Sequence, residues 1–203
     1  LQRIQTFCSR KGFFSMKNKL LQNNAHWTDT DVCHIVMGIN RRFLWPAAVT
    51  MTSFLRCNEV ACIIHVFHTN LTSHDFNTLR VRLNHVSGRV EIREYCVNPA
   101  EISSVETRSK QWPIEVYLRL AAIEILPMEI DRAFFFDADL IIRDDLSDFY
   151  KADFHESLVR AARDVTVDQR VDHKYALGMQ RESIYFNAGV LVLNICGLKY
   201  AFK

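Results

Sequence analysis

The sequence predicts an α/β fold in which a mostly parallel sheet is covered by helices. Three observations predict it. Short apolar runs rich in β-branched and aromatic residues recur along the chain, at 33–39, 61–67, 90–97, 133–142, 157–162 and 185–195. Helix-like stretches separate several of these runs, and strands that alternate with helices at such distances build parallel sheets. The length of 203 residues suffices for one sizeable core and is too short for two.

The elements follow in order. Residues 33–39 (CHIVMGI) form a short strand that ends near Gly38 and Asn40. Residues 43–55 read as a helix, because Pro46 is tolerated in a first turn. Residues 61–67 (ACIIHVF) are a second strand, and 72–86 a second helix with Phe76, Leu79, Val81 and Leu83 at helical spacing. Residues 90–97 (VEIREYCV) alternate apolar and polar, as a half-buried strand does. Residues 113–126 are the clearest helix, opened by Pro113 and stopped by Pro127. The run 133–142 (AFFFDADLII) reads as buried throughout, 157–162 as a further strand, and 185–195 (YFNAGVLVLNI) as the last. No linker or repeat divides this region, so residues 32–203 form one domain preceded by an arm, residues 1–31.

Composition narrows the function. A net charge of +2 lacks the basic stripe of a nucleic-acid binder, so no nucleic-acid partner is expected. No apolar run reaches the ~20 residues that span a bilayer. The arm carries Arg3, Arg10, Lys11, Lys17 and Lys19 with no acid before Asp29. It reads first as a solvated tail and second as a peripheral contact with an anionic membrane surface. The six cysteines contain no C-x-x-C pair and read as reduced thiols. Cys62, His65 and His68 lie three residues apart on a strand, where successive side chains take opposite faces, so they are not a metal cluster.

Asp137 and Asp139 carry the chemistry. Residues i and i+2 of a strand share a face about 6.6 Å apart, so two carboxylates near a strand's C-terminal end can converge on one ion. Ligands of open α/β sheets bind at that edge. Carboxylate oxygens suit Mn²⁺ or Mg²⁺, which neutralise a departing diphosphate. Three phenylalanines precede the pair, and burial beside them would be costly without a cation. Haloacid-dehalogenase-type phosphatases carry the same D-x-D after an apolar strand. Theirs lies near the start of the domain, before Thr or Val and Gly, whereas this pair lies past the middle and precedes Leu140, Ile141 and Ile142.

Three stretches then align with one family. FFFDADLIIRDDL (134–146), VYLRL (116–120) and YFNAGVLVLNI (185–195) resemble, in order and spacing, the motifs of retaining family-eight glycosyltransferases. The likeness runs from about residue 32 to the end and is strongest to bacterial lipopolysaccharide and lipooligosaccharide galactosyl- and glucosyltransferases. It implies a GT-A fold, Rossmann-like, with a mixed and mostly parallel sheet. It implies transfer of galactose or glucose from UDP-galactose or UDP-glucose to a glycan acceptor, with Mn²⁺ or Mg²⁺ as cofactor, in lipopolysaccharide biosynthesis. The location implied is the cytoplasm, with peripheral attachment at the inner face of the bacterial membrane.

The resemblance also assigns roles. Asp137 and Asp139 would be metal ligands, with Asp139 the firmer and Asp137 toward the sugar or ribose, and Ala138 between them would belong to the donor site. Arg119 would reach the sugar or phosphate. Asn187, Ala188 and Gly189 would line the sugar pocket. Asp164 and Asn187 are the expected catalytic, sugar-facing pair. Gly38, Asn40 and Phe43 would meet the nucleotide base, with Asn40 where relatives often place an acid. Asp144 and Asp145 read as a turn and helix cap. The family pattern continues with an Asp-Gln-Asp stretch and a late His metal ligand, and neither follows here before Lys203. The expectation is therefore a donor-binding part truncated at the C-terminus, either active or a non-catalytic nucleotide-sugar-binding domain.

Overall fold

The apolar runs assemble into one six-stranded sheet in the computed structural model, which describes residues 32–98 and 117–201. Strands β1 (Val32–Ile39), β2 (Ala61–His68) and β3 (Val90–Cys96) pair in parallel. Strand β4 (Arg132–Phe136) pairs in parallel with β1. Strands β5 (Val159–Arg163) and β6 (Phe186–Asn194) complete the order β3-β2-β1-β4-β6-β5, with β6 antiparallel to both neighbours. The sheet is thus mixed and mostly parallel, as expected. All eight residues of β2 are buried, which is what a strand covered on both faces requires.

Each face carries its own core. Helix α1 (Leu44–Cys57) and helix α2 (Ser73–Asn84) bury Leu44, Ala47, Met51, Phe54, Phe76, Leu79 and Leu83 at helical spacing against Ile35, Met37, Ile64, Phe134 and Phe136. Helix α3 (Leu118–Ile125) and helix α7 (Ile195–Ala201) cover the other face, burying Leu118, Ala121, Ala122, Ile195 and Leu198 against Val36, Phe67, Phe135 and Leu193. Between them in the chain lie short helices α4 (Ser147–Lys151), α5 (Val165–Asp168) and α6 (Val171–Ala176). A capping box starts α2, because Thr72 Oγ1 accepts from the Asp75 amide while Asp75 Oδ2 accepts from the Thr72 amide at 2.9 Å.

Several expectations need correction. Val81 is 59% exposed and leaves the α2 core. The last strand stops at Asn194, and Ile195 opens α7. The run 133–142 is not one buried strand, since β4 ends at Phe136 and Ile141 is 73% exposed. The arm, and the start of the helix expected from Pro113, lie outside the described residues.

The alternation of Cys62, His65 and His68 holds. Cys62 joins the α1–α2 core, whereas His65 turns to the other face, where its Nε2 lies 3.0 Å from His34 Nδ1 and its Nδ1 2.9 Å from Tyr95 Oη. No group of three His, Cys, Asp or Glu side chains gathers for a metal among the described residues. The described cysteines Cys33, Cys57, Cys62, Cys96 and Cys196 are free thiols, and burial pushes Cys62 up to about 12. Among the described residues no helix is long and apolar enough to cross a membrane.

Candidate functional site

Parallel strands bring their C-terminal ends to one edge of the sheet. Because β6 runs antiparallel to β4, its leading end reaches that same edge. The pairing of Phe136 with Val190 extends one step further, where the Asp137 amide donates to the Gly189 carbonyl at 2.8 Å. Asp137 therefore sits beside Asn187 and Gly189. The Asn187 Oδ1 accepts from the Gly189 amide at 2.8 Å. A Cβ at position 189 would stand 2.9 Å from Asp137 Oδ2 and 3.1 Å from Asn187 Oδ1. Only glycine leaves both side chains where they are, so the close-approach role expected of Gly189 has a geometric basis.

The carboxylate pair departs from the geometry expected of a strand. β4 has ended before it, and Ala138 and Asp139 form a turn. Asp139 is exposed and Asp137 half-buried, so the expected burial cost does not fall on Asp139. Side chains of α1, and Asn58 at its C-terminal cap, hold the turn. Thr50, fully buried, donates its hydroxyl toward the carbonyls of Ala138 (2.8 Å) and Leu140 (2.9 Å) and accepts from the Leu140 amide at 2.9 Å. Ser53 Oγ accepts from the Ile142 amide at 2.9 Å, and Asn58 Oδ1 from the Leu146 amide at 2.8 Å. These polar groups occupy the backbone that a neighbouring strand would otherwise pair. Ala138 turns its methyl into the core, so two carboxylates flank a buried pivot.

The other expected residues distribute as follows. Gly38 lies on β1 opposite Phe67. Asn40 follows the strand, and its Oδ1 accepts from the Arg42 (2.9 Å) and Phe43 (3.3 Å) amides, capping a 3₁₀ turn over Arg41–Phe43. Phe43 is half-buried against the α1–α2 core. Arg41 is turned toward Asp75 at 3.9 Å. Asp164 caps α5, its Oδ1 accepting from the Val167 amide at 3.0 Å, so one of its oxygens is engaged. Asn187 and Ala188 are exposed. Arg119 falls within α3, and its side chain lies outside the described residues. Asp145 accepts from the Ser147 amide at 2.8 Å and hydroxyl at 2.6 Å, the turn expected before α4.

Thr50, Ser53 and Asn58 had not been singled out from sequence. Their spacing is helical, but on a helix face short polar residues read as solvated until the loop they bind is known. A cavity of about 420 Å³ lies at the opposite edge of the sheet, between Cys33, Phe54, Arg132 and Tyr150. Phe134 of the D-x-D stretch lines it, but Asp137, Asp139, Asn187 and Gly189 do not. The cavity and the carboxylate pair thus lie at opposite edges, and the edge with the strand C-termini is where open α/β sheets bind ligands.

The chain is similar to known proteins over most of its length. Residues 34–200 match Glycosyl transferase family 8. The chain is 25% identical over 195 residues to a lipopolysaccharide 1,3-galactosyltransferase of Salmonella typhimurium, covering 92% of this chain and 56% of that protein. It is 24% identical over 185 residues to a probable galacturonosyltransferase-like protein of Arabidopsis thaliana, covering 84% and 52%. The chain thus spans about half the length of the curated relatives it matches. The galactosyltransferase LgtC, solved with donor and acceptor sugar analogues, superposes with a TM-score of 0.73 at 22% identity over 82% of this chain and 59% of that one, which shows the fold. The family match also removes the phosphatase reading of the D-x-D string. On the family match and the fold together, the chain belongs to glycosyl transferase family 8.

Proposed function

We propose that the chain is the donor-binding part of a retaining hexosyltransferase that moves galactose or glucose from a UDP-sugar to a glycan hydroxyl. One observation carries the reading: Asp137, Asn187 and Gly189 meet at the sheet's carboxyl edge, with Asp139 exposed on the adjoining turn. Asn187 offers both donor and acceptor to sugar hydroxyls. Gly38, Asn40 and Phe43 stand at the end of β1, on the side assigned to the nucleotide base.

The residues fit a hard divalent ion. Mg²⁺-type sites commonly use one or two carboxylates and complete their shell with phosphate oxygens and water, and Asp137 and Asp139 supply that pair. Such an ion, Mn²⁺ or Mg²⁺, when bound, would offset the charge gathering on the departing diphosphate. Asp139 would hold it from the exposed side and Asp137 from the side facing Asn187. Retention is read as front-face attack, in which the acceptor oxygen bonds to the anomeric carbon as the bond to UDP breaks. The acceptor proton then passes to the leaving phosphate oxygen. Among the described residues, none at the edge stands out as an enzymic nucleophile.

The similarity to lipopolysaccharide transferases supports a bacterial surface-glycan acceptor and work at the inner face of the membrane. A second reading, a domain that binds the donor without turnover, would use the same grouping of Asp137, Asn187 and Gly189. Transfer assays with UDP-galactose, UDP-glucose and UDP-galacturonate on lipopolysaccharide core acceptors, read by anomeric NMR, test the proposal. An α-linked product supports it, an inverted product contradicts retention, and donor binding without any product supports the second reading.

A further inference from the structure

The excursion from β5 to β6, residues 164–185, is gathered around one carboxylate. Asp168 ends α5 and is buried. Its Oδ2 accepts from Arg163 Nε at 2.5 Å and pairs with the Arg163 Nη2. Its Oδ1 accepts from Lys174 Nζ at 2.7 Å and from the Tyr185 backbone amide at 2.7 Å. These donors saturate the carboxylate. The Lys174 hydrogen bond first, then the Tyr185 amide and Arg163, hold its carboxyl well below the usual carboxylate range. Lys174 is itself buried and also donates to the Arg181 carbonyl at 3.1 Å.

The Tyr185 contact gives this cluster its consequence. Tyr185 immediately precedes β6 and lies two residues before Asn187. Asp168 holds its amide, and its carbonyl accepts from the Asp164 amide at 2.9 Å. Further along, Arg163 of β5 pairs with Phe186, and the Gly189 carbonyl accepts from the Asp137 amide at 2.8 Å. The β5–β6 pairing shifts register between Ala161 and Arg163, and Ile184, Phe186, Asn187 and Ala188 are exposed. The base side of the site, at Asn40 and Phe43, is held separately through the 3₁₀ cap and the bond from the Arg41 amide to Asn70 Oδ1.

We propose that Asp168 is a positioning residue for the donor sugar: by gripping the Tyr185 amide it sets where Asn187 and Gly189 meet the hexose, without touching the ligand. This rests on the donor-site reading above. It predicts that Asp168 governs affinity for the sugar and not for the nucleotide.

The test uses a Lys174→Met background, so that removing the Asp168 charge leaves no buried ammonium unpaired. In that background Asp168→Asn keeps an acceptor for the Tyr185 amide and Asp168→Ala removes it. Titrations with UDP and with UDP-galactose or UDP-glucose, in Mn²⁺, compare the two double variants. The expected result is UDP-hexose binding weaker by about tenfold or more in the alanine variant, with UDP binding unchanged within about twofold. Hydrogen exchange at residues 185–189 should be faster in the alanine variant alone. A loss of UDP and UDP-hexose in equal proportion would mark a merely structural role and overturn the proposal. Equal UDP-hexose affinity in the two double variants, with a wild type that binds both ligands, overturns this proposal alone. A wild type that binds neither ligand overturns the donor-site reading and this proposal with it.

Discussion

Gly189 presents its carbonyl to the Asp137 amide at 2.8 Å and leaves the Asp137 carboxylate room that a Cβ would occupy at 2.9 Å. The backbone bond extends the β4–β6 ladder to the D-x-D turn, and the missing side chain lets Asp137 and Asn187 stand together. The sheet's last strand and its carboxylate pair are thereby one unit.

A Gly189→Ala substitution follows from this contact. The methyl meets the ends of two side chains and not backbone, so those side chains move and the fold survives. We expect the melting temperature to change by no more than about 2 °C, which corresponds to roughly 0.5–1 kcal/mol in a chain of this size. Metal-dependent UDP-hexose binding should weaken by about tenfold or more, because both donor-facing groups are displaced. Calorimetry beside a thermal melt separates the two effects.

Thr50 supports the turn from behind. In Thr50→Val the Leu140 amide loses its acceptor and the Ala138 carbonyl its hydroxyl donor, in a buried place. Leaving such groups unsatisfied costs about 1–3 kcal/mol. Urea denaturation should show a loss of that size, and Mn²⁺-dependent UDP affinity should fall with it. Unchanged metal-dependent affinity would mean that the turn keeps its shape without α1.

Much of this arrangement was legible in the sequence. The alternation of strands and helices foretold the helix-covered, mostly parallel sheet, and the family resemblance its mixed character. The end of β4 was not legible, because Leu140, Ile141 and Ile142 continue an apolar run that looks like strand. Thr50 and Ser53 claim the Leu140 and Ile142 amides instead, a long-range contact no local pattern reveals. Asp168 and Lys174 escaped notice for a related reason. They sit in a polar stretch, 164–185, whose burial depends on charges pairing across it. Asp164, assigned a sugar-facing role by the family resemblance, caps α5, a role that its place before Val165 could have signalled.

Acid should weaken the fold through its buried histidines. Burial above all, then His34 and Arg93, holds the His65 imidazole well below its ordinary value. Burial likewise lowers His68, against the opposing pull of Glu94. The unfolded chain therefore binds more protons than the folded one once pH drops below about 6.5. His65 contributes stability that is fully present above that value and is lost as pH falls toward the folded-state pKa, with a slope of at most about 1.4 kcal/mol per pH unit. Urea midpoints between about pH 7.5 and 5.5 should fall accordingly, and His65→Gln should flatten the dependence. A slope unchanged by the substitution would assign the acid sensitivity to other groups.

The central claim is that Asp137 and Asp139 hold a metal-dependent nucleotide-sugar site at the sheet's carboxyl edge. Calorimetric titration of UDP and UDP-galactose into the wild-type chain and an Asp139→Ala variant, with and without Mn²⁺, tests it most directly. Asp139 is exposed and sits on a turn, so its loss should leave the melting temperature unchanged. The predicted result is binding that requires Mn²⁺ in the wild type and disappears in the variant. Equal binding by both chains, or binding by the wild type that ignores Mn²⁺, would contradict the claim.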